Sequence, residues 1–499
     1  MNNLHTPAPH HPAAHRPTAR SRNAALTLAR HADRAGWSSR PAYLIGDEVW
    51  RHGQIHDLAA RAAKVLHDRG IRPDDHVLLA APDGPAWVVA FLAIARLGAV
   101  AVLANPELTA ADHHLLLADC DASACVTDAA LEERFPNWID VDHLLDQAWT
   151  TAPGPAADVA PTSPLYVQYT SGTTGQPKGV VHAHKDLALY GTSVGRDVLR
   201  IGIGDVALSV SKMFWAYGFG NALVFPLHSG SSAVLTPHRP CAEEIAELTV
   251  RHRVNLLYSV PSSYAALAST KLTSLRAAVS AGEPMPEPLG ALLRDELGIE
   301  VLDQIGSTEA GHAFCANGIG DNTPGTLGRP VPGWEVQVRD EQGFPVDEGE
   351  LWVRGPTLFS HYLNQPGLTG STLVDGWLTT HDRVRQNHDG TLSHLGRTDD
   401  MEMVGGISLS PLEIERVLAA HPLVREAAVA AVLDQHDASR LRAFVVPAQD
   451  TPGLEDELIT WTRSRLPSFK VPRTVRLVPQ LPRTATGKLR RHVVRTGSW

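Results

Sequence analysis

Leu58, Ala59, Ala62, Val65 and Leu66 share one face if the chain coils from Ile55 to Asp68, and Gly70 supplies a stop. The next apolar run, His76 to Ala81, is short enough to read as a strand. Ala86 to Ala104 is the most apolar stretch of the chain, but Arg96 and Gly98 interrupt it. That break predicts a buried helix over Ala86–Leu97 and a buried strand over Ala99–Leu103, not a membrane span. Strands separated by helices from Tyr43 to Asp128 predict a parallel sheet covered on both faces.

After a Pro/Ala-rich linker, Thr151 to Pro164, the alternation resumes. Asp205–Ser211, Ala233–Leu235, Asn255–Val260, Ala277–Ser280 and Glu300–Gln304 read as strands, with an amphipathic helix over Cys241–His252. The last two strands run into glycine-bearing turns, and open α/β sheets bind ligands at such carboxyl ends. Trp334–Arg339 and Glu350–Arg354 alternate in the antiparallel manner and predict a small β-subdomain. Beyond a polar stretch at Gly396–Asp400, helices over Ser410–His421 and Leu454–Leu466 flank a strand over Ala427–Leu433. The expected fold class is α/β: a large N-terminal domain (24–396) of parallel α/β sheets plus the β-subdomain, then a small α+β C-terminal domain (401–499).

Composition narrows the field. The chain has 499 residues, 43% hydrophobic and 20% charged, which suits two or more soluble domains. A net charge of −10 argues against a nucleic-acid surface. Cys120, Cys125, Cys241 and Cys315 form no CxxC pair and suggest reduced thiols in a cytoplasmic protein. Residues 1–23 lack the apolar core of a signal peptide and read as a disordered tail rich in Pro, Ala, His and Arg. Its histidines (His5, His10, His11, His15) have nothing around them to orient a metal, so no site is assigned there.

The candidate chemistry centres on YTSGTTGQPKGVV, Tyr169 to Val181, directly after a short strand beginning at Pro164. Small residues let the backbone approach a bulky anion, hydroxyl and N–H groups donate to its oxygens, and Lys178 adds a positive charge. Such a loop suits a polyphosphate. It is not the common P-loop, which needs Gly before the lysine and Ser or Thr after it, where this chain has Pro177 and Gly179.

The loop resembles the phosphate-binding signature of the adenylate-forming superfamily, which includes acyl-CoA synthetases, luciferases and the adenylation domains of peptide synthetases. By that resemblance Thr170, Ser171, Gly172, Thr173, Thr174, Gly175 and Lys178 hold the phosphates of ATP. In Gln304-Ile-Gly-Ser-Thr-Glu, the resemblance makes Thr308 a phosphate contact and Glu309 the Mg2+ ligand. Asp382, after Gly376-Trp-Leu-Thr-Thr-His, resembles the aspartate that binds both ribose hydroxyls, although His381 stands where the family usually has Gly. Arg397 matches an arginine that reaches the nucleotide, and Asp399 matches the hinge (397–400) about which the small domain rotates between two half-reactions. Lys488, in Leu481-Pro-Arg-Thr-Ala-Thr-Gly-Lys-Leu, resembles the lysine that bridges the carboxylate and the α-phosphate.

The segments Ser211–Asn221, Ser280–Glu283 and Ile305–His312 look most like those of benzoate-CoA ligases. That implies an aryl-acid site at Ala216, Tyr217, Gly218, Gly282 and Ile305, with His312 near the carboxylate. Ala310, Gly311 and Ala313 are small where benzoate ligases carry bulkier side chains, which predicts an acid larger than benzoate, such as a substituted benzoate or a bicyclic hydroxynaphthoate, unless shifted helices fill the gap. Val404–Pro411, including Gly405 and Gly406, resembles the loop beside the pantetheine tunnel, with Met403 in place of a lysine and Glu402 in place of an apolar residue. The implied cofactors are ATP, Mg2+ and coenzyme A, and the implied partners an aromatic acid and CoA, with no nucleic acid and no membrane. An acyl carrier protein, a downstream acyltransferase and a second copy of the chain stay open as partners. A non-catalytic nucleotide-binding protein on this scaffold is the third reading, disfavoured by the charged motif positions that are all present.

Overall fold

The computed structural model describes residues 23–171, 177–267, 272, 274–283, 285–398, 400, 402–404, 407–433, 439–449, 451–483, 489–497 and 499. Residues 1–22, most of the expected tail, lie outside that set. Asn23 does not belong to a tail: it is buried and caps helix Ala24–Ala35, accepting from the Leu26 N–H and donating to Ala95 O at 2.9 Å.

Among the described residues the N-terminal part builds two large sheets. One has seven strands, and its parallel portion joins Trp138–Asp140, Ala124–Thr127, His76–Ala80, Val100–Leu103 and Pro164–Ser171. The other has nine strands, with a parallel centre of Val301–Gly306, Ala277–Ser280, Leu256–Ser259, Val206–Ser209, Ser232–Val234 and Pro41–Ile45. The strand-like apolar runs expected between Tyr43 and Gln304 are found in these strands. The interrupted stretch becomes helix Pro85–Leu97, ended by Gly98 at φ 72°, and then strand Val100–Leu103.

That helix is apolar on nearly every face because it is buried between elements of the N-terminal core. Trp87 stacks on Phe91, and Phe91 meets Phe219 edge-on at 5.1 Å. Tyr166, in the strand before the phosphate loop, packs on the same Phe219 at 4.7 Å. Phe219 therefore belongs to the core and anchors the aromatic segment 214–219 against the phosphate-loop strand. The Pro/Ala-rich linker is also packed down, with Gly154 N–H donating to Ala60 O and Ala157 N–H to Arg96 O, each at 2.9 Å.

The β-subdomain is a five-stranded sheet in which Glu348–Arg354 alternates buried and exposed positions, as the sequence pattern requires. The C-terminal domain has a three-stranded sheet (Val424–Leu433, Ser439–Pro447, Thr474–Leu477) packed with helices Pro411–Ala419 and Leu454–Arg463. The acidic Glu402 is explained here: it is buried and accepts from Arg495 Nε at 2.7 Å.

Five histidines held neutral by their surroundings make the fold acid-sensitive. Desolvation pushes His52, His184 and His228 down to about 4 and His56 and His312 to about 3. Below their ordinary pKa of about 6.5 the unfolded chain takes up these protons first, so stability falls as pH drops from about 6.5 towards 4. Asp83 and Asp303, raised by burial to about 6 and about 7, act the opposite way in that window but are two groups against five. Thermal melts across pH 7.5 to 4.5 are expected to show a steadily falling Tm, and a flat profile would contradict this assignment.

Candidate active site

The strands on either side of the expected phosphate loop are paired. Strands Pro164–Ser171 and Pro177–Ala183 pair antiparallel, setting Thr170 opposite Lys178 and Ser171 opposite Pro177. Gly172, Thr173, Thr174 and Gly175 lie outside the described residues. Strand His361–Tyr362 pairs on the far side of Lys178's strand, and the Lys178 ammonium sits 5.5 Å from the centre of the Tyr362 ring. The Tyr362 hydroxyl donates to Glu309 Oε1 at 2.7 Å. Lys178, Tyr362 and Glu309 thus form one connected group, uniting the two motifs expected to hold phosphate and metal.

The Thr308-Glu309 turn is held from two sides. Phe359 N–H donates to Glu309 O at 2.7 Å, and Thr357 Oγ1 donates to Ala310 O at 2.8 Å. From the other side, His182 Nε2 reaches Thr308 O at 2.7 Å while its Nδ1 faces Asp186 Oδ2 at 3.1 Å. A carbonyl only accepts, so Nε2 carries a proton and the His182–Asp186 pair orients the Thr308 peptide. Tyr166 stacks on the His182 ring at 5.0 Å.

The expected acid site is assembled from three elements. Tyr217 is partly buried, donates to Val279 O at 3.0 Å one strand position before Ser280, and lies 5.8 Å from the His312 ring. Phe225 meets His312 edge-on at 4.9 Å, and His312 Nε2 approaches Asn221 Oδ1 at 3.2 Å. Ile305 is half-buried against the same core. Gly282 adopts φ 91°, a left-handed turn that favours glycine at the end of its strand. Gly218 is required for closeness: a Cβ there would lie 2.2 Å from Lys212 O and 2.4 Å from Ser211 O. Gly218→Ala is expected to displace the Ala216–Gly218 turn and raise KM for the acid more than KM for ATP; equal changes in both would contradict this placement.

Two of the expected positions have surroundings that limit what they can do. Burial pushes the His312 imidazole down to about 3, so at neutral pH it is uncharged and faces the site as a neutral ring. The space beside Gly311 is filled: a Cβ there would come within 3.3 Å of His182 Cε1 and 3.4 Å of Tyr190 Cε1. A side chain larger than glycine at that position would crowd these two rings.

Asp382 and Arg397 face each other across paired strands of the β-subdomain, with Arg397 Nη1 3.8 Å from Asp382 Oδ1. His394 Nε2 also reaches Asp382 Oδ1, at 3.1 Å, and both of these side chains are largely buried. His381 takes the left-handed φ of 58° that glycine would adopt more readily, and its carbonyl accepts from Thr398 N–H at 2.8 Å. The backbone turn is therefore kept despite the substitution. Asp399, Gly405, Gly406 and Lys488 lie outside the described residues.

Sequence reasoning missed Tyr362, His394, the His182–Asp186 pair and Asp303. Asp303 is buried in strand Val301–Gly306, where burial pushes its carboxyl up to about 7 although Met285 N–H donates to Oδ2 at 3.2 Å. Its Oδ1 is buried with no donor among the described residues. An acid inside an apolar strand run was the available signal. Among the described residues no group of three or more His, Cys, Asp or Glu could hold a metal. A magnesium ion needs no such cage, because phosphates and water supply most of its ligands; a single carboxylate such as Glu309 beside a phosphate loop fits it.

The family model for AMP-binding enzymes matches residues 28–363, and the model for their C-terminal domain matches residues 413–488. The chain belongs to the AMP-binding enzyme family and is a ligase that uses ATP. It is 39% identical to a p-hydroxybenzoic acid–AMP ligase, FadD22, of Mycobacterium marinum, over 95% of this chain and 69% of that protein. It is 36% identical to a benzoate–CoA ligase of Thauera aromatica, over 95% of this chain and 96% of that one. Among solved structures it resembles the anthranilate CoA ligase AuaEII in complex with anthranoyl-AMP, with a TM-score of 0.88 and 30% identity over 95% of this chain and 97% of that one. No helix of the described residues is long and apolar enough to cross a membrane.

Proposed function

We propose that this chain activates a single-ring aromatic acid of the benzoate class to its acyl-adenylate and passes the acyl group to the thiol of coenzyme A. The observation that carries the reading is the join between the Lys178–Tyr362–Glu309 group and the Tyr217–His312 wall through the short segment 305–312. An acid seated on that wall has its carboxylate directed towards the phosphate-holding residues. The filled space beside Gly311 supports a ring of benzoate size over a bicyclic one.

In the first half-reaction a carboxylate oxygen attacks the α-phosphorus of ATP, the bond to the β-phosphate bridging oxygen breaks, and diphosphate leaves. Lys178 and the loop hydroxyls grip the phosphates, and Glu309, fixed by Tyr362, is the carboxylate for Mg2+. Bound Mg2+ supplies charge neutralisation on the phosphate oxygens. Asp382, oriented by His394, accepts from the ribose hydroxyls, and the unpaired Asp303 oxygen suits a donor on the nucleotide. Lys488 offsets charge at the reacting carboxylate. In the second half-reaction, after rotation about Asp399, the thiol sulfur attacks the acyl carbonyl, its proton is lost, and AMP leaves.

A second reading, transfer to a carrier-protein phosphopantetheine, is favoured by the likeness to a relative named as an AMP ligase. Offering CoA and a loaded carrier protein side by side separates the two acceptors. For the acid, kcat/KM is expected to be highest for benzoate or a hydroxy- or aminobenzoate and at least about tenfold lower for naphthoates, the scale set by a poorly fitting apolar group. Naphthoates outperforming every benzoate would overturn the choice of ring size.

A further inference from the structure

The C-terminal domain reaches the adenylation site through two arginines, one of them inside the motif that carries Lys488. Arg483 lies five positions before Lys488 in sequence. Its Nη1 donates to Glu283 Oε1 at 3.2 Å, and its Nη2 donates to Glu426 Oε2 at 2.8 Å on strand Val424–Leu433. Glu283 directly follows Gly282 in the acid-site turn, so one guanidinium bridges the two domains with a carboxylate from each. All three side chains are about one-quarter to one-third exposed, which leaves the pair partly shielded from solvent.

The second arginine is Arg416 in helix Pro411–Ala419. Its Nη2 donates to His394 O at 2.9 Å, and His394 is the residue whose ring holds Asp382. Burial lowers the pKa of Arg416 from its usual value, and the nearby carboxylates Asp303 and Glu287 of the N-terminal domain oppose that shift only in part. Glu283, Glu287 and Asp303 all belong to the region around the carboxyl ends of strands Ala277–Ser280 and Val301–Gly306. Hairpin Glu402–Val404 and Ile407–Leu409, which carries the expected pantetheine-tunnel loop, instead has its first strand against the C-terminal domain's own strands Val424–Leu433 and Ser439–Pro447.

We propose that Glu283–Arg483 is an interdomain latch that selects the adenylation pose, and that it must open before the thioester half-reaction. This rests on the two-step reading of the function given above. Arg483 is a positioning residue: it fixes where the segment bearing Lys488 starts relative to the acid-site turn and touches no reacting atom itself. Because Nη2 stays on Glu426 within its own domain, loss of Glu283 frees the domain without unfolding the guanidinium's surroundings. The latch therefore discriminates between half-reactions instead of contributing equally to both.

The test compares wild type, Glu283→Gln, Glu283→Lys, Arg483→Ala and Arg483→Lys in two assays and by thermal melting. The first assay is aromatic-acid-dependent ATP–diphosphate exchange. The second is single-turnover thioester formation from a chemically supplied aryl adenylate, with CoA as acceptor or a phosphopantetheine-loaded carrier protein if wild type refuses CoA. Glu283→Gln and Arg483→Ala are expected to slow exchange about tenfold, and Glu283→Lys further, the scale of one lost charge-assisted contact. Thioester formation should stay within about twofold of wild type, Arg483→Lys should recover most of the exchange rate, and Tm should barely move. Equal losses in both half-reactions, or unchanged exchange in Glu283→Lys, would overturn the latch. A wild type without acid-dependent exchange would instead sink the functional reading on which it rests.

Discussion

Glu309→Gln is expected to lower acid-dependent ATP–diphosphate exchange about a hundredfold while leaving the melting temperature nearly unchanged. The amide keeps the size of the carboxylate, and its oxygen can still accept from the Tyr362 hydroxyl that now reaches Glu309 Oε1 at 2.7 Å. What it removes is the negative charge beside the phosphate loop. The backbone anchors of the turn, Phe359 N–H to Glu309 O and His182 to Thr308 O, do not depend on that side chain. The loss should therefore fall on rate and on the Mg2+ concentration needed for half-maximal activity. Tyr362→Phe should show the same trend at about a tenth of the effect, since it frees the carboxylate without neutralising it. Exchange by Glu309→Gln at the wild-type rate would remove Glu309 from the metal-holding role.

Lys488→Ala carries the second large effect: a drop in exchange of about 10²- to 10³-fold, with thioester formation from supplied aryl adenylate close to wild type. A lysine that offsets charge only while the carboxylate attacks phosphorus has no part in the later attack of a thiol on the acyl carbon. Equal losses in both assays would make Lys488 a structural residue. Together with Glu283→Gln, the variant separates a group at the reacting atoms from a contact that only places its segment: Lys488→Ala should act on kcat far more strongly than the latch variants.

The sequence was most readable where apolar periodicity and motif chemistry coincide. Leu58 to Leu66 and Val77 to Ala80 declare their elements because one period fits and the other does not, and both are buried as expected. The phosphate hairpin, the Thr308-Glu309 turn and the Asp382–Arg397 pair could be located because each motif is contiguous or nearly so. The side chains that orient them could not. Tyr362, His394 and His182 lie far along the chain from the residues they hold, and no local pattern distinguishes a tyrosine on Glu309 from one in the core. Ring size was not legible for a related reason: a missing side chain at Gly311 says nothing about which distant atoms, here those of His182 and Tyr190, lie beside it. The neutral state of His312 was likewise beyond local pattern, because it depends on burial beside Tyr217, Phe225 and Asn221.

The central claim is that an aromatic carboxylate displaces diphosphate from ATP at the site joining Lys178, Glu309 and Tyr217. Exchange of labelled diphosphate into ATP, measured with purified protein, Mg2+ and a panel of benzoates, tests it before any acceptor is involved. Exchange that appears only when a benzoate is added, and disappears when Mg2+ is chelated, is the predicted result. No exchange with any member of the panel, or equal exchange without acid, would contradict it.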